Sequence, residues 1–297
     1  MSPGVRIVAV GTVALDTVET PVGSVTEAPG GSAPYFAAAA FRYAPVSIVG
    51  VVGSGWPDAA LAPLVERGVD VDGVRRVDGT TFRWHARYDA DGTRTTVSAD
   101  RGVTVRTPPS LQPAHRDPAA LFLGSTDPSV QADVLEQAGS PGLVVLDSMG
   151  HWIETRRPDL MELLRRTDVL VLNDEELRAL GRHADPGAAA TEVLSAGLAW
   201  LVVKDGPRGA RLYGAVDNGQ AGPLEPVAAV PAHRVDAVVD PTGAGDAFAG
   251  GLVGFLVQRG GPAALNAGTL EAAMTEGTRT GAAAVRSFSF DGLLGDP

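Results

Sequence analysis

The chain contains no cysteine in its 297 residues, which removes disulfides, Cys-based zinc sites, iron–sulfur clusters and thiol nucleophiles from consideration. Lysine is almost as scarce: Lys204 is the only one, and every other basic side chain is arginine or histidine. Positive charge is also short overall. Lys plus Arg total 24 against 35 Asp plus Glu, a net charge of -11, so the average surface repels polyanions and nucleic acid is excluded as the expected partner. No apolar run reaches the roughly 18 residues of a membrane span, so no membrane partner is expected. Met1–Val10 lacks a basic region followed by a long apolar core and a cleavage site, and it reads as a first β-strand; the expected location is the cytoplasm.

Several catalytic patterns are missing too. No Gly-Lys-Ser/Thr follows a glycine loop, as a P-loop would require. His115, His151, His183 and His233 are scattered without metal-ligand spacing. Ser125 and Ser148 lack a Gly-x-Ser-x-Gly setting. Asp147 and Asp127 each follow a β-like run, where turn initiation or a ligand contact would both suit them. No internal repeat with a period of roughly 20–50 residues is visible.

What is present is an alternating rhythm. Val5–Val10, Ser47–Val52, Ala120–Leu123, Leu143–Leu146, Val169–Leu172 and Leu198–Val203 are short apolar runs, and helix-compatible sequence lies between them. These runs are apolar on both faces, which predicts a mostly parallel sheet covered by helices rather than a wet-faced antiparallel one. Such an α/β architecture accommodates residues 1–297 as a single domain. Ala210–Tyr213 and Val227–Val230 read as a closing strand meander. A different texture occupies Thr80–Val97, where Thr, Phe, Trp, Tyr and Val alternate with polar residues around Asp91-Gly92. It predicts a hairpin. With extended segments from Thr12–Pro29, it would form a small β-lid from residues near 12–29 and 80–98; an edge hairpin shielding the core is the alternative.

Asp240-Pro241-Thr242-Gly243-Ala244-Gly245-Asp246 places a tight turn before a helix at Ala247–Gln258. Gly243, Ala244 and Gly245 carry little side-chain bulk, so their N–H groups can approach an anion where the helix dipole also favours negative charge. Asp246 beside such a hole suits proton abstraction from a hydroxyl during phosphoryl transfer. It equally suits helix capping.

With its flanks, Val239 to Gly251, this run resembles the C-terminal signature of the ribokinase-like (PfkB) carbohydrate kinases, and the likeness extends over nearly the whole chain. The resemblance implies a three-layer α/β/α fold with a mostly parallel central sheet. It implies an ATP-dependent sugar or nucleoside kinase acting on a primary hydroxyl, with Asp246 as base and residues 243–245 as anion hole. Asn173 and Glu176 match the family's Asn-x-x-Glu element, which would position hydrated Mg2+ and phosphate; a helix start is the other reading of that pair. Lys204, Gly206 and Gly209 resemble a strand-end segment near the ATP phosphates, and Ala283 would lie near adenine. Asp240 and Thr242 would support a monovalent cation, K+. Asp16, Gly30 and Gly31 would contact the acceptor.

Many sugar kinases of the family have asparagine where this chain has Tyr35, so the acceptor is expected to differ from ribose; Tyr35, Phe82 and Trp84 would face a nucleoside-sized or partly apolar molecule. Phe82 and Trp84 could instead form the lid's own core or a homodimer contact. A non-catalytic nucleotide- or sugar-binding regulatory protein of the same fold is the competing expectation.

Overall fold

The computed structural model describes residues 5–215 and 222–295. The main-sheet strands are β1 (Ile7–Val10), β4 (Val46–Gly53), β5 (Asp70–Val77), β8 (Ala120–Leu123), β9 (Val144–Asp147), β10 (Val169–Asn173), β11 (Trp200–Lys204), β12 (Ala210–Gly214) and β13 (Ala228–Val230). Their order across the sheet is β13-β12-β11-β10-β9-β8-β1-β4-β5. From β11 to β5 all neighbours run parallel, whereas β12 and β13 are antiparallel additions at one edge. The strand β5 was not foreseen. Its sequence, Asp-Val-Asp-Gly-Val-Arg-Arg-Val, is polar because it forms the opposite edge, where only part of each side chain is covered.

Alternation along each buried strand divides the core into two layers. Ile7 and Ala9 of β1 face one cluster, while Val8 and Val10 face the other. The first layer is covered by α1 (Ser32–Ala40), α7 (Ala244–Gln258) and α8 (Ala267–Ala284); the second by α3 (Pro128–Gln137), α4 (Gly150–Leu163), α5 (Asp174–Gly181) and α6 (Pro186–Ser195). This is the α/β/α arrangement expected from strands apolar on both faces. Phe36 of α1 stacks on Phe122 of β8 at 4.1 Å between ring centroids, fixing the helix over the sheet centre.

A second sheet of order β3-β2-β6-β7 stands apart, built from β2 (Ala14–Thr20), β3 (Gly23–Gly30), β6 (Phe82–Tyr88) and β7 (Arg94–Asp100). The β6–β7 pair is antiparallel, with Asp89 N–H bonded to the Thr93 carbonyl at 3.0 Å around the Asp91-Gly92 turn. One face is charged, carrying Arg83–Glu27, His85–Glu19 and Arg87–Glu19 pairs. The other is apolar, with Val18, Ala86 and Tyr88 at its centre and Trp84 and Phe288 packed against them. No helix among the described residues is long and apolar enough to cross a membrane.

Candidate active site

Parallel strands bring their carboxyl ends to one edge of the sheet, and in open α/β sheets ligands bind there. Three neighbours, β9, β10 and β11, end at Asp147, Asn173 and Lys204. Asn173 is the N-cap of α5: its side-chain oxygen accepts from the Glu176 N–H at 2.8 Å, and Glu176 Oε2 accepts from the Asn173 N–H at 2.8 Å. The pair forms a complete capping box, so the structural reading of these two residues holds. The box still leaves Asn173 Nδ2 and Glu176 Oε1 for other contacts.

The glycine turn precedes α7. Gly243 takes φ +73°, a left-handed conformation, and the ring of Tyr35 lies so close that a Cβ there would overlap it. A methyl at Gly245 would come within 2.9 Å of Lys204 Nζ, so the only ammonium side chain of the protein sits beside the turn. The N-terminus of α7 has no side-chain capping hydrogen bond. Asp246, in its first turn, interacts with its own backbone N–H.

Asp246 is close to Asp147, Lys204 and Asp16. Burial, then repulsion from Asp147, pushes its carboxyl up from 3.8 to about 7. Burial also pushes Asp16 to about 7, with Asp240 adding repulsion and the Gly31 backbone working the other way. Glu176 is raised by burial against the pull of Lys204. Burial disfavours the Lys204 charge, but Asp147, Glu176 and Asp246 outweigh it and hold the ammonium above its ordinary value. Lys204 Nζ donates to Asp147 Oδ2 at 3.3 Å.

On the other side of the turn, Asp240 Oδ1 accepts from the Thr242 N–H at 2.8 Å, while Asp240 Oδ2 is buried and has no hydrogen-bond partner among the described residues. Thr242 Oγ1 donates to Tyr88 Oη at 3.2 Å, tying the small sheet to the glycine turn. Asp16 lies on β2 with its carboxylate against Gly30, and Gly31 precedes α1. Trp84 is the register partner of Asp16 in the β2–β6 pairing, and Phe82 pairs with Ala14. Trp84 is half-covered, packed on the small sheet's apolar cluster with the Arg94 guanidinium 5.8 Å from its ring centroid.

Some predicted positions sit differently from expectation. Tyr35 is only 2% exposed, wedged between Gly243 and the edge of Phe290, so its ring supports the turn from below and is not open to a stacking partner. Gly206 and Gly209 flank the turn after β11, where Gly209 closes it by accepting the Asp205 N–H at 2.8 Å. Ala283 lies in the last turn of α8, packed against the core layer. Asp205 pairs with Arg211, which also holds Asp174 and so anchors the start of α5. Asp147, for which the sequence leaves turn initiation and a ligand contact open, and Tyr88, read only as part of the hairpin, both lie at this edge. Asp147 is signalled only by its place at a strand end, and Tyr88 by its alternation with Trp84.

A model described as pfkB family carbohydrate kinase matches residues 6–291, and the chain belongs to that family. It is 29% identical over 262 residues to a cytidine kinase of Thermococcus kodakarensis, with 86% of this chain and 90% of the relative covered. It is 31% identical over 243 residues to an ATP-dependent ribose-1-phosphate kinase of Halopiger xanaduensis, covering 79% and 75% of the two chains. The adenosine kinase structure from Sinorhizobium meliloti superimposes with a TM-score of 0.77 at 18% identity, covering 96% of this chain and 95% of that one, which is a likeness of fold. The chain is a kinase of the sugar and nucleoside class.

Proposed function

We propose that the protein transfers the terminal phosphoryl group of ATP to a primary hydroxyl of a neutral, hydroxyl-rich acceptor, a nucleoside in preference to a phosphorylated sugar. The observation that carries this reading is the convergence of two carboxylates, buried Asp16 and half-buried Asp246, each raised to about 7, on a glycine turn flanked by one ammonium. Asp16 accepts hydrogen bonds from the acceptor's hydroxyls. Asp246 takes the proton from the attacking one; a base with a pKa near 7 balances availability against basicity. The N–H groups of Gly243 and Gly245 face the charge that develops on the phosphoryl oxygens, while that of Ala244 is donated to the Pro241 carbonyl at 3.3 Å within the turn. Tyr35 and Phe290 hold that turn from beneath.

The acceptor's charge follows from the surroundings of Asp16. The charged neighbour it senses is another carboxylate, Asp240, which disfavours a phosphate group on the acceptor. Trp84 beside Asp16 offers an apolar flank suited to a base. Phe82 opens the same strand, two residues before Trp84. The small sheet acts as a lid, its Tyr88 hydroxyl latched to Thr242, and its closure excludes water that would compete for the phosphoryl group.

Lys204 and the Gly206–Gly209 turn serve the nucleotide phosphates, and Ala283 borders the adenine side. The metal fits the donor set: the buried carboxylates Asp147, Glu176 and Asp246 face one ammonium, leaving negative charge for a cation to balance. Among the described residues no three His, Asp or Glu side chains converge tightly enough to hold a metal unaided. Glu176 and Asn173 would therefore hold hydrated Mg2+ through water. When bound, Mg2+ offsets charge on the phosphates and orients them. Asp240 Oδ2, buried and unpartnered, fits a monovalent cation such as K+ beside Thr242.

The test is direct detection of phosphorylated product with ATP, Mg2+ and a panel of cytidine, other ribonucleosides, free ribose and ribose 1-phosphate. Acceptor-dependent product with a nucleoside supports the reading. ADP release without phosphorylated acceptor across the panel overturns it, and product from ribose 1-phosphate alone overturns the acceptor preference.

A further inference from the structure

Asp147 stands at the end of β9, two strands from Lys204 at the end of β11. With strands spaced about 4.8 Å apart, their axes are about 10 Å from each other. A lysine stem spans that gap when it lies across the end of β10, and the side chain takes that course, reaching Asp147 Oδ2 at 3.3 Å. The ammonium is thus carried over the sheet edge to the flank of Gly245. Glu176 and Asp246 add attraction at a distance, but among the described residues the side-chain hydrogen bond of Lys204 is to Asp147.

The carboxylate is itself fixed. Its Oδ1 accepts from the Ser148 N–H at 2.7 Å, and the Asp147 carbonyl accepts from Gln131 Nε2 at 3.0 Å. Gln131 also donates to the carbonyl of Gly124 at 2.9 Å, clamping the ends of β8 and β9 together. A half-exposed ion pair on a loose loop would be weak and mobile. Here Asp147 is buried and Lys204 largely covered, with side-chain exposures of 6% and 16%, so the pair is shielded from solvent.

We propose that Asp147 is a positioning residue for phosphoryl transfer: it stretches Lys204 across β10 and holds the ammonium at the Gly245 side of the anion turn, ready for the transferring phosphate. Asp147 touches neither substrate nor phosphate in this scheme and acts through Lys204. The proposal rests on the reading of residues 243–246 as the transfer site, which Asp246→Asn tests separately.

Because Lys204 is the sole lysine, protein grown with 13C-labelled lysine gives a single side-chain Cε signal. In the parent, adding ADP with Mg2+ should shift that signal. In Asp147→Asn the signal should already differ without nucleotide, and the nucleotide-induced shift should shrink. In parallel, Asp147→Asn and Lys204→Met should each lower kcat/KM for ATP by about 10- to 100-fold, with the acceptor KM within about twofold of the parent. The double variant should be no more than about threefold worse than Lys204→Met alone, since Asp147 acts through Lys204. Asp147→Ser provides the same comparison should the Asn variant not fold. Multiplicative losses in the double variant, parent-like kinetics in both Asp147 variants, or a Lys204 signal indifferent to nucleotide would each overturn the proposal. Transfer retained in Asp246→Asn would instead overturn the underlying site assignment.

Discussion

The ring of Tyr35 lies directly against the Cα of Gly243, so the residue that departs from the common sugar-kinase pattern is the floor of the anion turn. Its 2% exposure and its edge-to-face contact with Phe290 leave no room beneath the turn for it to relax. Gly243→Ala meets two penalties: a left-handed φ of +73°, worth about 1–2 kcal/mol for a residue with a Cβ, and overlap with the ring, worth about 1–3 kcal/mol. The variant should melt several degrees below the parent and lose at least about 100-fold in kcat, as the amides move off target. Tyr35→Phe keeps the ring and should stay within about threefold of the parent. Equal losses in the two variants would contradict a purely supporting role for the ring.

Asp246→Asn separates function from stability. The folded carboxyl sits at about 7, above its ordinary 3.8, so the folded protein binds that proton more tightly than the unfolded chain. Its contribution to stability is complete below about 4 and is lost as pH rises to about 7. Asn carries no ionisable proton. The variant should therefore match the parent's stability below about pH 4 and exceed it at pH 8, by up to about 4 kcal/mol for a shift of about three units, read as a higher melting temperature. Turnover should fall at least about 1,000-fold while nucleotide binding is kept. In the parent, kcat/KM for the acceptor should rise through an acid limb near pH 7, set by the burial of Asp246 and by Asp147, Lys204 and Asp16 around it. A melting curve independent of pH in both proteins would refute the charge assignment.

Much of this edge could be read from residue order. Runs apolar on both faces announce parallel strands, and the Gly243–Asp246 turn announces a helix start, because both depend on local geometry. The polar edge strand β5 was illegible for the opposite reason: half of it faces solvent, and its pattern resembles a loop. The position of Tyr35 was also out of reach, since nothing local tells whether an aromatic in the first turn of an alanine-rich helix faces a ligand or a turn over 200 residues later. Asp147 depends on a partner 57 residues away, and only the strand order brings the two together.

Tyr88 joins the lid to the turn through a single hydroxyl contact, 3.2 Å from Thr242 Oγ1. Tyr88→Phe preserves the apolar packing with Val18 and Ala86 and removes that bond alone. A neutral hydrogen bond contributes about 0.5–1.5 kcal/mol, so kcat/KM for the acceptor should fall about 2- to 12-fold. Acceptor-independent ATP hydrolysis should rise relative to transfer, because the lid spends more time open. Unchanged coupling between ATP consumption and product would show that closure does not depend on this contact.

Asp240 presents the remaining electrostatic question of the site. One oxygen is committed to the Thr242 N–H, and the other is buried without a partner, an arrangement that costs free energy unless a cation or water fills it. With K+ bound there, the oxygen is satisfied and the glycine turn is held at its N-terminal side. Replacing K+ by a bulky organic cation in the assay should lower kcat by about tenfold or more, and added K+ should restore it. Asp240→Asn should weaken that stimulation, shifting the half-maximal K+ concentration upward, while the acceptor KM changes little. Because Asp240 also raises Asp16, the same substitution should move the Asp16 carboxyl downward and shift the acid limb of acceptor binding to lower pH. Activity indifferent to K+ in both proteins would leave the unpartnered oxygen to an ordered water and remove the cation from the site.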